Sequence, residues 1–224
     1  MISVHIICEG RTESTIVKNI LAPECAVNGI YLYPVRNGRT RKRGNVTLDR
    51  LDFNIRDQLH NNRSTYCTTF VDFYGIDVDF PGTKEAATKS SISEKQDAVC
   101  DALTGKLALT FEDGPIQRFI PYVQMHEFES LLFSDPSQLA FALREQDLAQ
   151  QLWAIRNDFE TPEHIDDSPV SAPSKRIQKV FPRYRKVQMG ERAVRAITLK
   201  KIRRECPLFD AWLAKLECLP PISA

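Results

Sequence analysis

Acidic residues at three points along the chain could act together on a phosphoryl group. Glu9 follows the apolar run Ile2 to Cys8, Asp72 ends the β-branched and aromatic stretch from Thr65, and Glu127 and Glu129 follow the run Arg118 to Met125. Carboxylates gathered on neighbouring strand ends repel one another, and a hard divalent cation such as Mg²⁺ or Mn²⁺ offsets that cost. Such an ion neutralises charge developing on a phosphodiester and lowers the pKa of a bound water. Each acid also has a purely structural reading. Glu9 could satisfy amides at the start of the next helix, Asp72 could close a turn, and Glu127 and Glu129 could favour a helix dipole. His126 taken alone reads as structural.

The cations are as unevenly distributed as the acids. Formal net charge is +1, yet residues 1–174 carry 17 Lys/Arg against 25 Asp/Glu, and residues 175–224 carry 13 against 4. Arg39, Arg41, Lys42 and Arg43 crowd one turn-rich loop. Segment 175–204 holds twelve Lys/Arg and the single acid Glu191, with Phe181 and Tyr184 set among Arg183, Arg185 and Lys186. Cations interleaved with aromatics suit phosphate pairing and base stacking. They suit equally a surface that docks on an acidic partner or on the chain's own acidic half. Ser174 reads as a helix cap, which would aim Lys175 and Arg176 at the acidic crevice for charge stabilisation.

The elements that must position these groups follow from hydrophobic periodicity. Strands are expected at 2–8, 29–35, 65–73 and 118–125, with Pro121 inside the last marking an edge or bulge. Helices are expected at 12–21, 47–60 and 92–103, at about 127–133, from Asp135-Pro136 to about 153, at 174–180 and 191–203, and at 208–217. Strands alternating with helices predict an α/β fold: a mainly parallel sheet of about four strands with flanking helices over 1–133, followed by a mostly helical, basic extension over 134–224. Ligands of open parallel sheets gather beyond the carboxyl ends of the strands, where the acids fall. No GxGxxG or P-loop follows the first strand, which disfavours a mononucleotide-binding protein of that kind. Six scattered cysteines without a CxxC pair read as free thiols rather than a zinc site. No apolar run approaches the ~20 residues of a membrane span. The amino terminus lacks a basic n-region and cleavage site, so the expectation is a soluble, cytoplasmic protein with no membrane partner.

Cys8-Glu9-Gly10-Arg11-Thr12-Glu13 after a buried strand, with an aspartate ending the third strand, resembles a Toprim domain, the Rossmann-like fold of topoisomerases, primases and nucleases of the overcoming-lysogenisation-defect type. Further stretches, Val71-Asp72-Phe73-Tyr74-Gly75 with Phe80-Pro81-Gly82, Met125 to Phe133, Ala172 to Ile177, and Cys206-Pro207-Leu208-Phe209 with Trp212, resemble an uncharacterised bacterial Toprim-like family, a domain of unknown function. Its members are often encoded beside an ABC- or AAA-type ATPase, a pairing linked to phage defence. The resemblance implies that Glu9 is a general acid/base or metal ligand and that Asp72 is a metal ligand. For Glu127 and Glu129 it implies a position without a role, and supplementary metal ligation is the chemical inference. Glu13 and Asp77 would support the site from behind the ligands. Tyr74 stands where many Toprim domains carry a second aspartate. The implied function is a divalent-metal-dependent nuclease acting with an ATPase, with DNA favoured over RNA. The alternative is a non-catalytic Toprim-like module that binds nucleic acid or regulates the ATPase.

Overall fold

The computed structural model describes residues 1–37, 45–111, 114–165 and 171–222. They form two compact units: residues 1–124 with 214–224, and residues 125–213. The 133/134 division expected from sequence therefore falls inside the second unit.

The first unit is built on a parallel sheet. Strand β1 (Ile2–Cys8) leads through helix α1 (Arg11–Ile16), a π-helical turn (Val17–Leu21) and α2 (Ala22–Ala26) to β2 (Ile30–Arg36). Helix α3 (Leu48–Asn61) and β3 (Tyr66–Asp72) follow, then α4 (Thr83–Ala86), α5 (Ile92–Ala108), β4 (Phe119–Ile120) and β5 (Val123–Gln124). The sheet order is β2-β1-β3-β4, with β5 also paired to β3. Every pairing is parallel. β3 is buried along its whole length, as expected of a strand covered on both faces. β2 is an edge strand, and its alternate residues Tyr31 and Tyr33 are exposed.

Five strands replace the expected four because Pro121 interrupts the fourth. Proline donates no ladder hydrogen bond, and the chain divides into β4 and β5 on either side of it. Thr69 spans the break: its hydroxyl donates to the Tyr122 carbonyl at 2.7 Å and accepts from the Tyr122 N–H at 3.0 Å. Beneath the sheet, Leu51, Ile55 and Leu59 of α3 and Val99, Leu103 and Leu107 of α5 pack in one core with Ile7, Cys67 and Val71. Those helix positions recur every four residues, the stripe that faces a core. Helix α5 opens on a capping box: Ser91 Oγ accepts from the Glu94 N–H at 3.2 Å, and the Glu94 carboxylate accepts from the Ser91 N–H at 3.2 Å.

The second unit is helical. A fully buried 3₁₀ segment (Phe128–Ser134) precedes α6 (Pro136–Leu143), α7 (Ala149–Asn157), α8 (Pro173–Val180), α9 (Lys186–Ile197) and α10 (Leu199–Glu205). Helix α11 (Pro207–Glu217) starts in this unit and supplies its last residues to the first. The single helix expected from Asp135 to about 153 is broken at Arg144, which adopts the left-handed conformation with φ 63°. The Glu145 N–H then returns to the Ala140 carbonyl at 3.0 Å, the bond that closes a Schellman motif. The expected 191–203 helix is likewise divided at Thr198, with φ 75°. No described helix is long and apolar enough to cross a membrane.

Candidate functional site

In the first unit Glu9 and Asp72 are drawn together by parallel pairing. Cys8 stands beside Phe70 in the β1–β3 register, and the Glu9 N–H continues the ladder to the Phe70 carbonyl at 3.1 Å. The Glu9 side chain then reaches across to the end of β3, where its Oε2 accepts the Asp72 N–H at 3.0 Å. Asp72 is only 7% exposed. The chain turns at once into a 3₁₀ segment, Phe73–Gly75, and Gly75 leaves the room in which the Glu9 carboxylate lies. A Cβ at position 75 would come within 2.1 Å of Glu9 Oε2.

The donor chemistry fits a hard divalent ion. Two carboxylates from adjacent strand ends suit Mg²⁺, which takes one or two protein carboxylates and fills its remaining positions with water and substrate phosphate. Among the described residues no group of three or more His, Cys, Asp or Glu side chains is arranged to hold a metal. Cysteine chemistry is disfavoured beside the site, because burial and the charge of Glu13 push the Cys8 thiol well up. Glu13 accepts the Gly10 N–H at 2.8 Å, fixing the turn that follows β1. Asp77 accepts the Asp79 N–H at 3.1 Å, a turn bond within its own loop.

In the second unit Glu127 and Glu129 meet at a lysine. Glu129 is wholly buried, and the Lys186 ammonium lies 2.9 Å from its Oε2 and 3.6 Å from Glu127 Oε1. The Tyr184 hydroxyl lies 3.4 Å from Glu129 Oε1, and burial together with Glu129 pushes that phenol well above its ordinary value. Glu127 also accepts the Ser174 N–H at 2.8 Å. The expected cap is thereby corrected: α8 has Ala172 at its N-cap, and the distant carboxylate of Glu127 satisfies a first-turn amide.

The remaining cations are placed individually. Arg39, Arg41, Lys42 and Arg43 lie outside the described residues. Lys175 is exposed. Arg176 donates to the Ser171 carbonyl at 2.8 Å and stands over the Phe159 ring at 5.0 Å. Arg183 pairs with Glu145 at 3.2 Å and stands over Phe181 at 5.5 Å, whereas Arg185 is exposed. A family model described as Domain of unknown function (DUF4276) matches residues 8–217. The chain belongs to the DUF4276 family. No curated protein and no solved structure matches it.

Within the DUF4276 match, two residues that line a cavity carry no signal in the sequence. Arg144 and Arg192 come from different helical segments and meet at one cavity. Their spacing follows no motif, so nothing in the one-dimensional pattern pairs them.

Proposed function

We propose that the Glu9–Asp72 pair is a phosphodiester-hydrolysing centre that works with Mg²⁺ or Mn²⁺ on nucleic acid, DNA in preference to RNA. The observation that carries this reading is the bond from the Asp72 N–H to Glu9 Oε2, which ties the Glu9 carboxylate to the backbone of Asp72 at the carboxyl end of adjacent parallel strands. Ligands of open parallel sheets collect at that edge. With one oxygen anchored, the Glu9 carboxylate keeps a fixed direction and can hold or take a proton at a bound water, while Asp72 contributes the second oxygen donor. A divalent ion bound there would supply charge neutralisation and a more acidic water. An ATPase partner and a role in phage defence belong to this reading through the Toprim-like resemblance.

The test is cleavage of supercoiled DNA, linear DNA and RNA with either metal, with and without an ATPase encoded beside the protein. Folded Glu9→Gln and Asp72→Asn variants are expected to lose cleavage entirely, and unchanged activity in both overturns the proposal. A second reading, a non-catalytic module that binds nucleic acid or regulates the ATPase, is favoured by Lys186. Its ammonium already neutralises Glu127 and Glu129, the acids expected to supplement the metal site. Binding without cleavage under every metal condition would support that reading.

A further inference from the structure

We propose that the second unit carries a binding site for a nucleoside phosphate in the cavity between the end of α6 and the start of α9. The cavity is a shallow groove, more open than enclosed, and its volume of about 670 Å³ is within the range of small-molecule sites. Arg144, Arg183, Arg185 and Arg192 all line it, and Glu145 is the single acid. Glu145 pairs with Arg183 at 3.2 Å, which leaves an excess of positive charge at the mouth. The Nε of Arg192 is buried and has no hydrogen-bond partner among the described residues. A buried donor without an acceptor is costly, and Arg192 is thus a lining cation whose own hydrogen bonds are incomplete.

Two features narrow the ligand from any anion to a nucleoside phosphate. The cavity is lined by buried Phe181 and Tyr184 together with Leu143 and Met189. An apolar wall of this kind, with the Arg183 guanidinium standing over the Phe181 ring at 5.5 Å, has no use for inorganic phosphate but suits a base, whose flat body stacks on arginine guanidinium groups. The N-cap and first turn of α9 contribute Arg185, Gln188 and Met189 to the lining, and a helix start favours a phosphate through its amides and dipole. Lys186, the next cation along, faces Glu129 instead and takes no part.

This inference stands apart from the hydrolytic reading, since it uses no residue of the Glu9–Asp72 centre. Free deoxynucleoside monophosphates, ATP, a 5′-phosphorylated single-stranded oligonucleotide, its unphosphorylated counterpart and inorganic phosphate are titrated against the full chain by fluorescence anisotropy or calorimetry. Binding of a nucleotide or of the 5′-phosphorylated strand at least tenfold tighter than inorganic phosphate is expected, and whichever binds more tightly identifies the source of the nucleoside phosphate. Arg144→Gln and Arg185→Gln, both on exposed residues, and Arg192→Gln are each expected to weaken it at least fivefold. Arg204→Gln, on a 72% exposed side chain outside the cavity, is expected to leave it unchanged. Equal affinity for inorganic phosphate and nucleotide overturns the proposal. So do equal affinities for the two oligonucleotides with no free nucleotide bound, or binding that survives Arg144→Gln and Arg185→Gln in folded protein.

Discussion

The Lys186 ammonium and the Glu129 carboxylate meet at 2.9 Å on a side chain that is only 1% exposed. An isolated carboxylate at such a depth is strongly disfavoured, so the lysine is a structural necessity for the second unit. Lys186→Met is expected to destabilise that unit by about 2–3 kcal/mol. This is at or below the roughly 3 kcal/mol at which the cost of breaking a fully buried pair begins, because Lys186 is itself 41% exposed. Adding Glu129→Gln should recover part of the loss in chemical denaturation, and a double variant no more stable than Lys186→Met would refute the pairing argument.

Glu163 gives the same unit a pH dependence. Its side chain is buried and accepts the Leu208 and Phe209 N–H groups, each at 2.9 Å, at the start of α11. Burial pushes its carboxyl up to about 7 from the ordinary 4.5, against the opposing pull of those two bonds. Below the ordinary value both folded and unfolded chains hold the proton, and the contribution to stability is complete. As pH rises further the unfolded chain releases its proton first, so stability falls until the folded group titrates near 7. Between about pH 5 and 8 the wild-type protein should lose on the order of 2–3 kcal/mol more than Glu163→Gln. Parallel pH profiles for the two proteins would exclude Glu163 as the source.

Gly75→Ala tests the room made for Glu9. The new methyl group would fall 2.1 Å from Glu9 Oε2, so the carboxylate must leave its bond to Asp72. Mn²⁺ affinity, followed by paramagnetic relaxation, should drop at least tenfold, with little change in stability because the displaced atoms are the end of a flexible side chain. Unchanged affinity would mean that Glu9 is not a ligand.

Gly82→Ala separates backbone demand from site chemistry. Gly82 has φ 83°, and a Cβ there would stand 2.3 Å from the Ala98 carbonyl oxygen of α5. Both the left-handed conformation and the close approach of α5 exclude a side chain. A loss of about 2 kcal/mol or more in thermal or chemical unfolding is expected.

Much of the first unit was legible because its signals are local. The apolar run Ile2 to Cys8 became β1, and the i, i+4 spacing of Leu51, Ile55 and Leu59 marked the buried stripe of α3. Pro121 announced a disturbance, but the rescue of the ladder by Thr69 depends on a side chain more than fifty residues earlier, so the split into β4 and β5 could not be read from the strand itself. The same limit applied to the charged groups. Lys186 reads as one more cation in a basic segment until the fold sets it against Glu129, and Ser174 reads as a cap until Glu127 arrives to take its N–H. The breaks at Arg144 and Thr198 escaped because neither residue is the glycine that usually marks a left-handed position.

The division of the chain also sets an order of assembly. During synthesis residues 125–213 emerge complete before residues 214–224, which belong to the sheet-bearing unit. The Tyr66 hydroxyl at the start of β3 waits for the Pro220 carbonyl, with which it forms a 2.8 Å bond, until a segment more than 150 residues later is made. A stop codon shortly after Leu213 would therefore injure the sheet-bearing unit while sparing the helices translated just before it.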